Sequence, residues 1–120
     1  MTGNVVGLQP LLQVAIRTHQ GQNVTIEFVV DTGFVGFLAL PPAAVAALGL
    51  PFIRSLAANL ADDSSVMMDV HDATIVWGGA EREVEVLATG RRPLLGTLVL
   101  DAHELTVQFA EGGIVLVEPI

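Results

Sequence analysis

The chain has 120 residues, of which 52% are hydrophobic and 15% are charged. This length fits one domain spanning residues 1–120, and this composition excludes a disordered tail. Thirteen acidic residues against five arginines and no lysine give a net charge of −8. That charge argues against binding to nucleic acid or to an anionic membrane, since both require clustered cations. Cysteine is absent, so no disulfide and no thiolate nucleophile is available.

The uncharged stretch 32–53 is long enough to span a membrane, which takes about 20 apolar residues. Its three prolines and three glycines fit a spanning helix badly and favour a soluble core segment, with the membrane span as the alternative. The N-terminus carries no basic residue ahead of its apolar positions, unlike a secretory signal peptide. We therefore expect a soluble, cytoplasmic protein.

Alternation of apolar and polar residues predicts two strands, at 11–18 and 23–30, that form a hairpin. The segment 41–49 predicts a short helix, because proline suits the first helical position and glycine the C-terminal cap. Residues 56–70 predict a second hairpin, whose polar tip is Asp62-Asp63-Ser64-Ser65. Further strands are predicted at 73–77, 83–86, 105–109 and 114–117. Many short strands with glycine turns between them indicate an all-β sandwich or barrel.

The motif Asp31-Thr32-Gly33 directly follows an apolar strand. A carboxylate at that position is costly to bury unless it has partners. Gly33 allows the backbone to approach closely and frees amides to bond the carboxylate, and Thr32 offers a hydroxyl that can brace the loop. All three residue types are also common in turns, so the simplest alternative is a turn that ends the strand.

A second apolar segment that ends in glycine, Leu94-Leu95-Gly96, follows much later in the chain. Together with Asp31-Thr32-Gly33, it makes the sequence resemble the retropepsin-like (retroviral-type) aspartic proteases over nearly its whole length. In that family the two segments lie side by side in a ψ-shaped loop, and a hairpin between them, the flap, closes over the substrate. Phe34 and Leu40-Pro41 match the continuation often seen in bacterial members, which favours a bacterial source.

The resemblance implies an all-β fold, a closed barrel of the acid-protease type with one short helix. It implies an aspartic endopeptidase that hydrolyses peptide bonds of a peptide or protein substrate without cofactor or metal. Asp31 would be catalytic, with Thr32 and Gly33 supporting the active-site loop and residues 94–96 forming the ψ-loop. The hairpin tip 62–65 would belong to the flap.

The resemblance also implies a homodimer. The chain has one Asp-Thr-Gly motif, whereas the chemistry needs two aspartates, so the second must come from a second copy. Thr32 would contact its counterpart across the two-fold axis. The N-terminal residues Val5 and Val6 and the C-terminal segment 114–117 would contribute strands to the interface.

Three positions depart from the family pattern. Phe34 stands where retroviral members usually carry Ala or Ser, the flap tip 62–65 has no glycine and no aromatic residue, and Thr97 replaces a commonly basic residue. These departures leave two alternatives to a peptidase. One is a retropepsin-like domain that binds peptides but cuts weakly or not at all, and the other is a dimerisation module in which Asp31 is only a turn residue.

The remaining candidates for chemistry have simpler interpretations. His19, His71 and His103 share no metal-ligand spacing, so no metal site is predicted. Arg91 and Arg92, which precede the second apolar segment, are expected in a solvated loop. The alternative is that they contact a substrate or the acidic surface of the second copy.

Overall fold

The computed structural model describes residues Met1–Ile120 and is built mainly of strands, which confirms the all-β prediction. The strands are β1 (Thr2–Val6), β2 (Gln9–Arg17), β3 (Asn23–Val30), β4 (Leu38–Leu40), β5 (Phe52–Asn59), β6 (Ser65–Trp77), β7 (Ala80–Ala88), β8 (Leu94–Leu95), β9 (His103–Val107) and β10 (Ile114–Pro119). The helices are α1 (Pro42–Leu48) and the four-residue α2 (Thr97–Leu100). The expectation of one helix is therefore wrong, because α2 is too short to give a helical period in the sequence.

All ten strands belong to one sheet, in the order β5-β6-β7-β4-β8-β3-β2-β1-β10-β9. An additional pairing joins β2 to β6 through Ala15 with Val76 and Ile16 with Ile75. The path of pairings from β2 through β3, β8, β4 and β7 to β6 therefore returns to β2. A fully closed barrel stays a prediction, since β2 and β6 meet through these two residue pairs alone.

Two predictions, the hairpin of β2 and β3 and the helix α1, rest on clear sequence patterns and are confirmed. Strands β2 and β3 form an antiparallel hairpin whose register runs from Leu11 opposite Val29 to Arg17 opposite Asn23. Helix α1 begins after Pro41 and ends at Gly49, whose φ of 66° is the left-handed conformation that glycine adopts without penalty.

Strand β6 is a single 13-residue strand, although the sequence suggested two separate elements. Its first half pairs with β5, and its residues from Asp69 onward pair with β7. The polar pair His71-Asp72 interrupts the apolar alternation at the point where the strand changes environment. His71 stays within the sheet because its Nδ1 lies 2.9 Å from the carbonyl oxygen of Leu50.

One hydrophobic core holds the sheet together, and no polar or charged side chain is buried in the chain. Its largest fully buried side chains come from five different strands: Phe28, Leu12, Ile16, Leu38, Leu40, Ile75 and Leu95. Because β8 contributes Leu95 to this core, the segment next to the Asp-Thr-Gly motif is fixed by apolar burial. The stretch 32–53 forms β4, α1, their connections and the start of β5, and no helix in the structure has the length and apolarity needed to cross a membrane.

The N- and C-terminal strands lie inside the sheet. Strand β1 pairs with β10 through residues 2–4 and with β2 through residues 4–6, and β10 pairs with β1 through residues 114–116 and with β9 through residues 115–119. Val5, Val115 and Val117 are buried within the chain. The expectation that these strands contribute to an interface with a second copy stays a prediction, and the strands at the two ends of the sheet are β5 and β9.

Candidate active site

The loop that carries the Asp-Thr-Gly motif wraps around β8. This strand pairs in parallel with the end of β3 and antiparallel with β4, so it lies between them. The loop 31–37, which joins β3 to β4, therefore passes around the end of β8. The Asp31 amide donates to the carbonyl oxygen of Leu95 at 2.9 Å, and the Gly96 amide donates to that of Phe37 at 2.8 Å. The two segments are thus tied together by backbone hydrogen bonds on either side of the motif.

Gly96 is required by this close passage. A Cβ atom there would lie 2.3 Å from the carbonyl oxygen of Gly36 and 2.7 Å from that of Phe34. The Phe34 ring packs over the same space, because a Cβ on Gly36 would lie 2.6 Å from it. The Thr97 amide donates to the Phe34 carbonyl oxygen at 3.0 Å, which holds the crossing together. Phe34 thus packs inside its own loop, where its ring takes the space left by two glycines.

Asp31 lies half-buried at the start of this loop. Its Oδ1 accepts a hydrogen bond from the Gly33 amide at 2.9 Å, and its carbonyl oxygen accepts one from the Phe34 amide at 3.2 Å. Its Oδ2 makes no hydrogen bond within the chain. One carboxylate oxygen is therefore oriented by the backbone, and the other is free to bind a water or a proton.

A cleft of about 620 Å³ opens beside Asp31. Its lining is mostly apolar and comes from β2, β3, the β7–β8 connection, β8 and the β9 region: Gln9, Pro10, Val29, Val30, Asp31, Thr32, Arg92, Leu94, Leu105, Val107 and Phe109. Asp31 and Arg92 are the only charged residues among them. This volume lies within the range typical of ligand sites.

The structure brings some of the sequence-predicted residues together and not others. Asp31, Thr32 and Leu94 line the cleft. Gly33, Leu95 and Gly96 shape the backbone beside it through the contacts described above. The flap-tip candidates 62–65 do not line the cleft.

Two features of the cleft were missed by sequence reasoning. Leu105, Val107 and Phe109 form one of its walls, although their alternation predicted only a strand. Arg92 is exposed, as expected of a solvated loop, but it also lines the cleft, where its guanidinium donates a hydrogen bond to Gln9. The available signal was the position of Arg92, two residues before the β8 segment that pairs with β3.

Strands β5 and β6 form the predicted hairpin, with Asn59 opposite Ser65 at its end. The tip is fastened by Asp62, whose Oδ1 accepts hydrogen bonds from the Ser64 hydroxyl at 2.5 Å and the Ser64 amide at 3.1 Å. These bonds, the hydroxyl first, lower the pKa of Asp62 below its usual value. Asp63 takes a φ of 65°, a conformation usually left to glycine or asparagine. Polar side chains therefore hold the turn where a glycine would otherwise be expected.

The histidines serve local hydrogen bonding. The indole Nε1 of Trp77 donates to Nε2 of His103 at 3.0 Å, and the Nδ1 of His103 lies 2.8 Å from the Asp101 carbonyl oxygen. Nδ1 of His19 lies 3.2 Å from the Leu48 carbonyl oxygen. No group of three or more His, Asp or Glu side chains is arranged to hold a metal ion.

Comparison with known proteins gives likeness in structure alone. No family model matches the chain, and no curated protein sequence matches it. The EIAV protease, solved with the inhibitor HBY-793, is 18% identical, with 78% of this chain and 86% of that chain covered at a TM-score of 0.55. The simian foamy virus protease is 19% identical, with coverages of 75% and 92% and a TM-score of 0.53.

A retropepsin-like aspartic protease from Rickettsia conorii is 18% identical, with 98% of this chain and 94% of that chain covered at a TM-score of 0.49. The two viral enzymes have the higher TM-scores, and their likeness covers at least three quarters of the chain. The chain therefore has the retropepsin-like fold.

Proposed function

We propose that the chain is an aspartic endopeptidase whose active site forms when two copies associate. The observation that carries this proposal is the geometry of Asp31. A half-buried carboxylate stands at the edge of a largely apolar cleft, with one oxygen fixed by the Gly33 amide and the other unbonded. The retropepsin-like fold supports the same reaction.

The reaction requires two carboxylates in contact. One acts as a base toward a water molecule, and the other, protonated, donates a hydrogen bond to the carbonyl oxygen of the scissile peptide bond. Two like charges at contact distance cannot both be ionised, so the pair shares one proton. Water adds to the carbonyl carbon and gives a proton to the base carboxylate, while the protonated carboxyl passes its proton to the carbonyl oxygen. The C–N bond of this tetrahedral intermediate then breaks as the nitrogen takes up a proton from the pair, the proton on oxygen returns to the pair, and no covalent intermediate with the enzyme forms.

The second carboxylate has to come from a second copy of the chain. Asp31 is the only acidic residue that lines the cleft. A two-fold axis beside it would place the same residue of the partner opposite, because an isologous interface repeats every residue on both sides. Thr32 is exposed, and its hydroxyl makes no hydrogen bond within the chain, which suits the contact with its counterpart.

The β9 edge is the part of the sheet that best suits this interface. Strand β9 has one neighbour, β10, so its outer backbone groups are unpaired within the chain. Leu105, Val107 and Phe109 line the same cleft as Asp31, and Phe109 is 65% exposed. Association along this edge would cover the apolar wall and bring the two Asp31 residues toward one another. The β5–β6 hairpin would then act as the flap over the joint site.

Cleavage of a mixed peptide library between about pH 4 and pH 7 tests this function, with wild type compared to Asp31→Asn. Asparagine keeps the shape and the Gly33 hydrogen bond but cannot share a proton. Asp101→Asn is the matched control, since it removes the same charge from an exposed residue outside the cleft.

Cleavage by wild type and Asp101→Asn, with none by Asp31→Asn, supports the proposal. Cleavage by all three proteins contradicts it and indicates another active site. Peptides that bind but stay intact with every protein favour the inactive peptide-binding domain.

A further inference from the structure

We infer that Arg92 is a specificity-determining residue that selects peptides with an acidic side chain within about four residues of the scissile bond. The inference rests on the proposed peptidase function and adds the class of substrate to it. It starts from the composition of the cleft. Arg92 is the only cation in a lining that is otherwise apolar or neutral apart from Asp31.

Three of the five arginines already bind carboxylates or backbone carbonyl oxygens within the chain. Arg17 forms an ion pair with Glu81. Arg54 binds both carboxylate oxygens of Glu85, at 2.9 and 2.7 Å. Arg82 donates to two carbonyl oxygens of α2, at 2.9 and 3.1 Å. In a protein of net charge −8, most of the guanidinium groups are thus used in the fold itself.

Arg92 differs from these three because it binds neither a carboxylate nor a pair of backbone carbonyl oxygens, and its one hydrogen-bond partner is the neutral side chain of Gln9. Its Nη1 donates to the side-chain oxygen of Gln9, which orients the guanidinium without cancelling its charge. The next residue is anchored to β3, since the Val29 amide donates to the Pro93 carbonyl oxygen at 3.0 Å. The charge is therefore held at the cleft with most of its donors free, an arrangement suited to bidentate binding of a carboxylate.

The sheet register fixes where along a substrate this charge acts. Val30 lies opposite Leu95 in the parallel pair, so Asp31 lies level with Gly96. Arg92 precedes Gly96 by four residues, which places its backbone at most about 13 Å from that of Gly96 at about 3.3 Å per residue. An extended peptide rises by the same amount per residue. Arg92 therefore faces a substrate side chain close to the scissile bond and not a distant end of the peptide.

The experiment uses quenched fluorescent peptides with Glu, Gln or Lys placed in turn at the positions within about four residues on either side of the scissile bond. The proteins are wild type, Arg92→Gln and Arg92→Glu. Arg91→Gln is the matched control, because it removes a neighbouring guanidinium that does not line the cleft. Sedimentation measures the dimer fraction of each protein at the assay concentration.

At one position or more, wild type is expected to cleave the Glu peptide with a kcat/KM about three- to tenfold above that of the Gln peptide. Arg92→Gln should abolish this preference for the Glu peptide, and Arg91→Gln should preserve it. Arg92→Glu should instead cleave the Lys peptide faster than the Glu peptide. Added salt should lower the wild-type ratio. Cleavage by wild type with no preference for Glu would overturn the inference while leaving the peptidase function intact. The inference is also overturned if Arg92→Gln weakens the dimer but keeps the Glu-to-Gln ratio, which would assign Arg92 to the interface.

Binding of the same peptides to Asp31→Asn, measured by fluorescence anisotropy, separates the inference from catalysis. Tighter binding of Glu than of Gln peptides, lost in the Asp31→Asn/Arg92→Gln double variant, would support the role of Arg92 even if no peptide is cut. Equal binding of the two peptides would overturn it.

Discussion

At the residue scale, the orientation of Asp31 depends on backbone amides and not on other side chains. Its Oδ1 is held by the Gly33 amide, and its own amide is held by the carbonyl oxygen of Leu95. Side-chain changes at Asp31 can therefore separate chemistry from folding.

Asp31→Asn is expected to lower kcat by at least about a hundredfold, because the amide cannot serve as base or shared acid. Its free energy of unfolding should stay within about 1 kcal/mol of wild type, because the asparagine oxygen still accepts the Gly33 hydrogen bond. Single-turnover cleavage and urea unfolding measure the two quantities. A large loss of stability would contradict the backbone-held geometry.

Gly96→Ala is expected to destabilise the chain by about 1–3 kcal/mol or more, since its Cβ would meet backbone oxygens of Gly36 and Phe34 that cannot move independently. Gly36→Ala should cost less, because its Cβ would meet the Phe34 ring, which can rotate away. Thr97→Ala, which loses a hydroxyl contact of 3.4 Å to Phe34, is the mild control. Urea unfolding checks this order, and an equal loss for the two glycine variants would contradict it.

At the element scale, the β5–β6 hairpin has a tip stabilised by a charged residue. The native pKa of Asp62 lies below its ordinary value of 3.8, so the native tip binds this proton more weakly than the unfolded chain does. The contribution of Asp62 is thus fully present above that ordinary value, and it is lost as the pH falls through the lower native pKa. Acid should loosen the tip before it affects the buried strands.

Hydrogen exchange of the Ser64 amide should therefore accelerate relative to core amides as the pH is lowered below about 4. Asp62→Asn should show faster exchange already at neutral pH, because it lacks the charge that strengthens both bonds to Ser64. Asp63→Asn, which keeps a residue type tolerated at positive φ, is the neighbouring control. An unchanged pH profile in Asp62→Asn would argue against this role.

Elements with a clear period could be predicted from the sequence, whereas the shortest could not. The hairpin of β2 and β3 and the helix between Pro41 and Gly49 carry alternation or caps that physical rules recognise. Strands β4 and β8 and helix α2 have two to four residues, too few to establish a period. For the 94–95 segment, only the resemblance indicated a role. The run 105–109 was predicted as one strand, but β9 ends at Val107.

At the scale of the whole molecule, the site could be predicted only in part. The motif pointed to Asp31 as a candidate because a carboxylate directly after an apolar strand is costly to bury without partners. The wall formed by Leu105, Val107 and Phe109 and the approach of Arg92 to Gln9 depend on long-range packing, which alternation along one strand does not reveal. The interior position of β1 and β10 likewise follows from strand order, which one sequence does not specify.

Phe109→Asp is expected to raise the dimer dissociation constant by about tenfold or more, because it places a charge on the apolar wall beside the β9 edge. Phe52→Asp is the matched control, since Phe52 is 59% exposed and lies on β5, the opposite edge strand. Sedimentation equilibrium measures the dimer dissociation constants of both variants. Equal effects of the two changes would remove β9 from the proposed interface.

Mixing wild type with an equal amount of Asp31→Asn is expected to lower the total activity to about half, because half of the wild-type copies then pair with an inactive partner. The double variant Asp31→Asn/Phe109→Asp, which should pair more weakly, is the control and should lower the activity less. Undiminished activity in the first mixture would show that one chain suffices for catalysis.

The position of β8 between β3 and β4 also has a consequence for biosynthesis. Chains emerge from the ribosome N-terminus first, so Asp31 is synthesised well before the segment 94–96 that its loop must enclose. Until that segment arrives, β3 and β4 lack the strand with which both pair, and the Asp31 amide lacks the Leu95 carbonyl oxygen. Such contacts between distant parts of a chain form slowly. The nascent protein therefore acquires the backbone contacts that hold the Asp31 loop only after residues 94–96 have been synthesised.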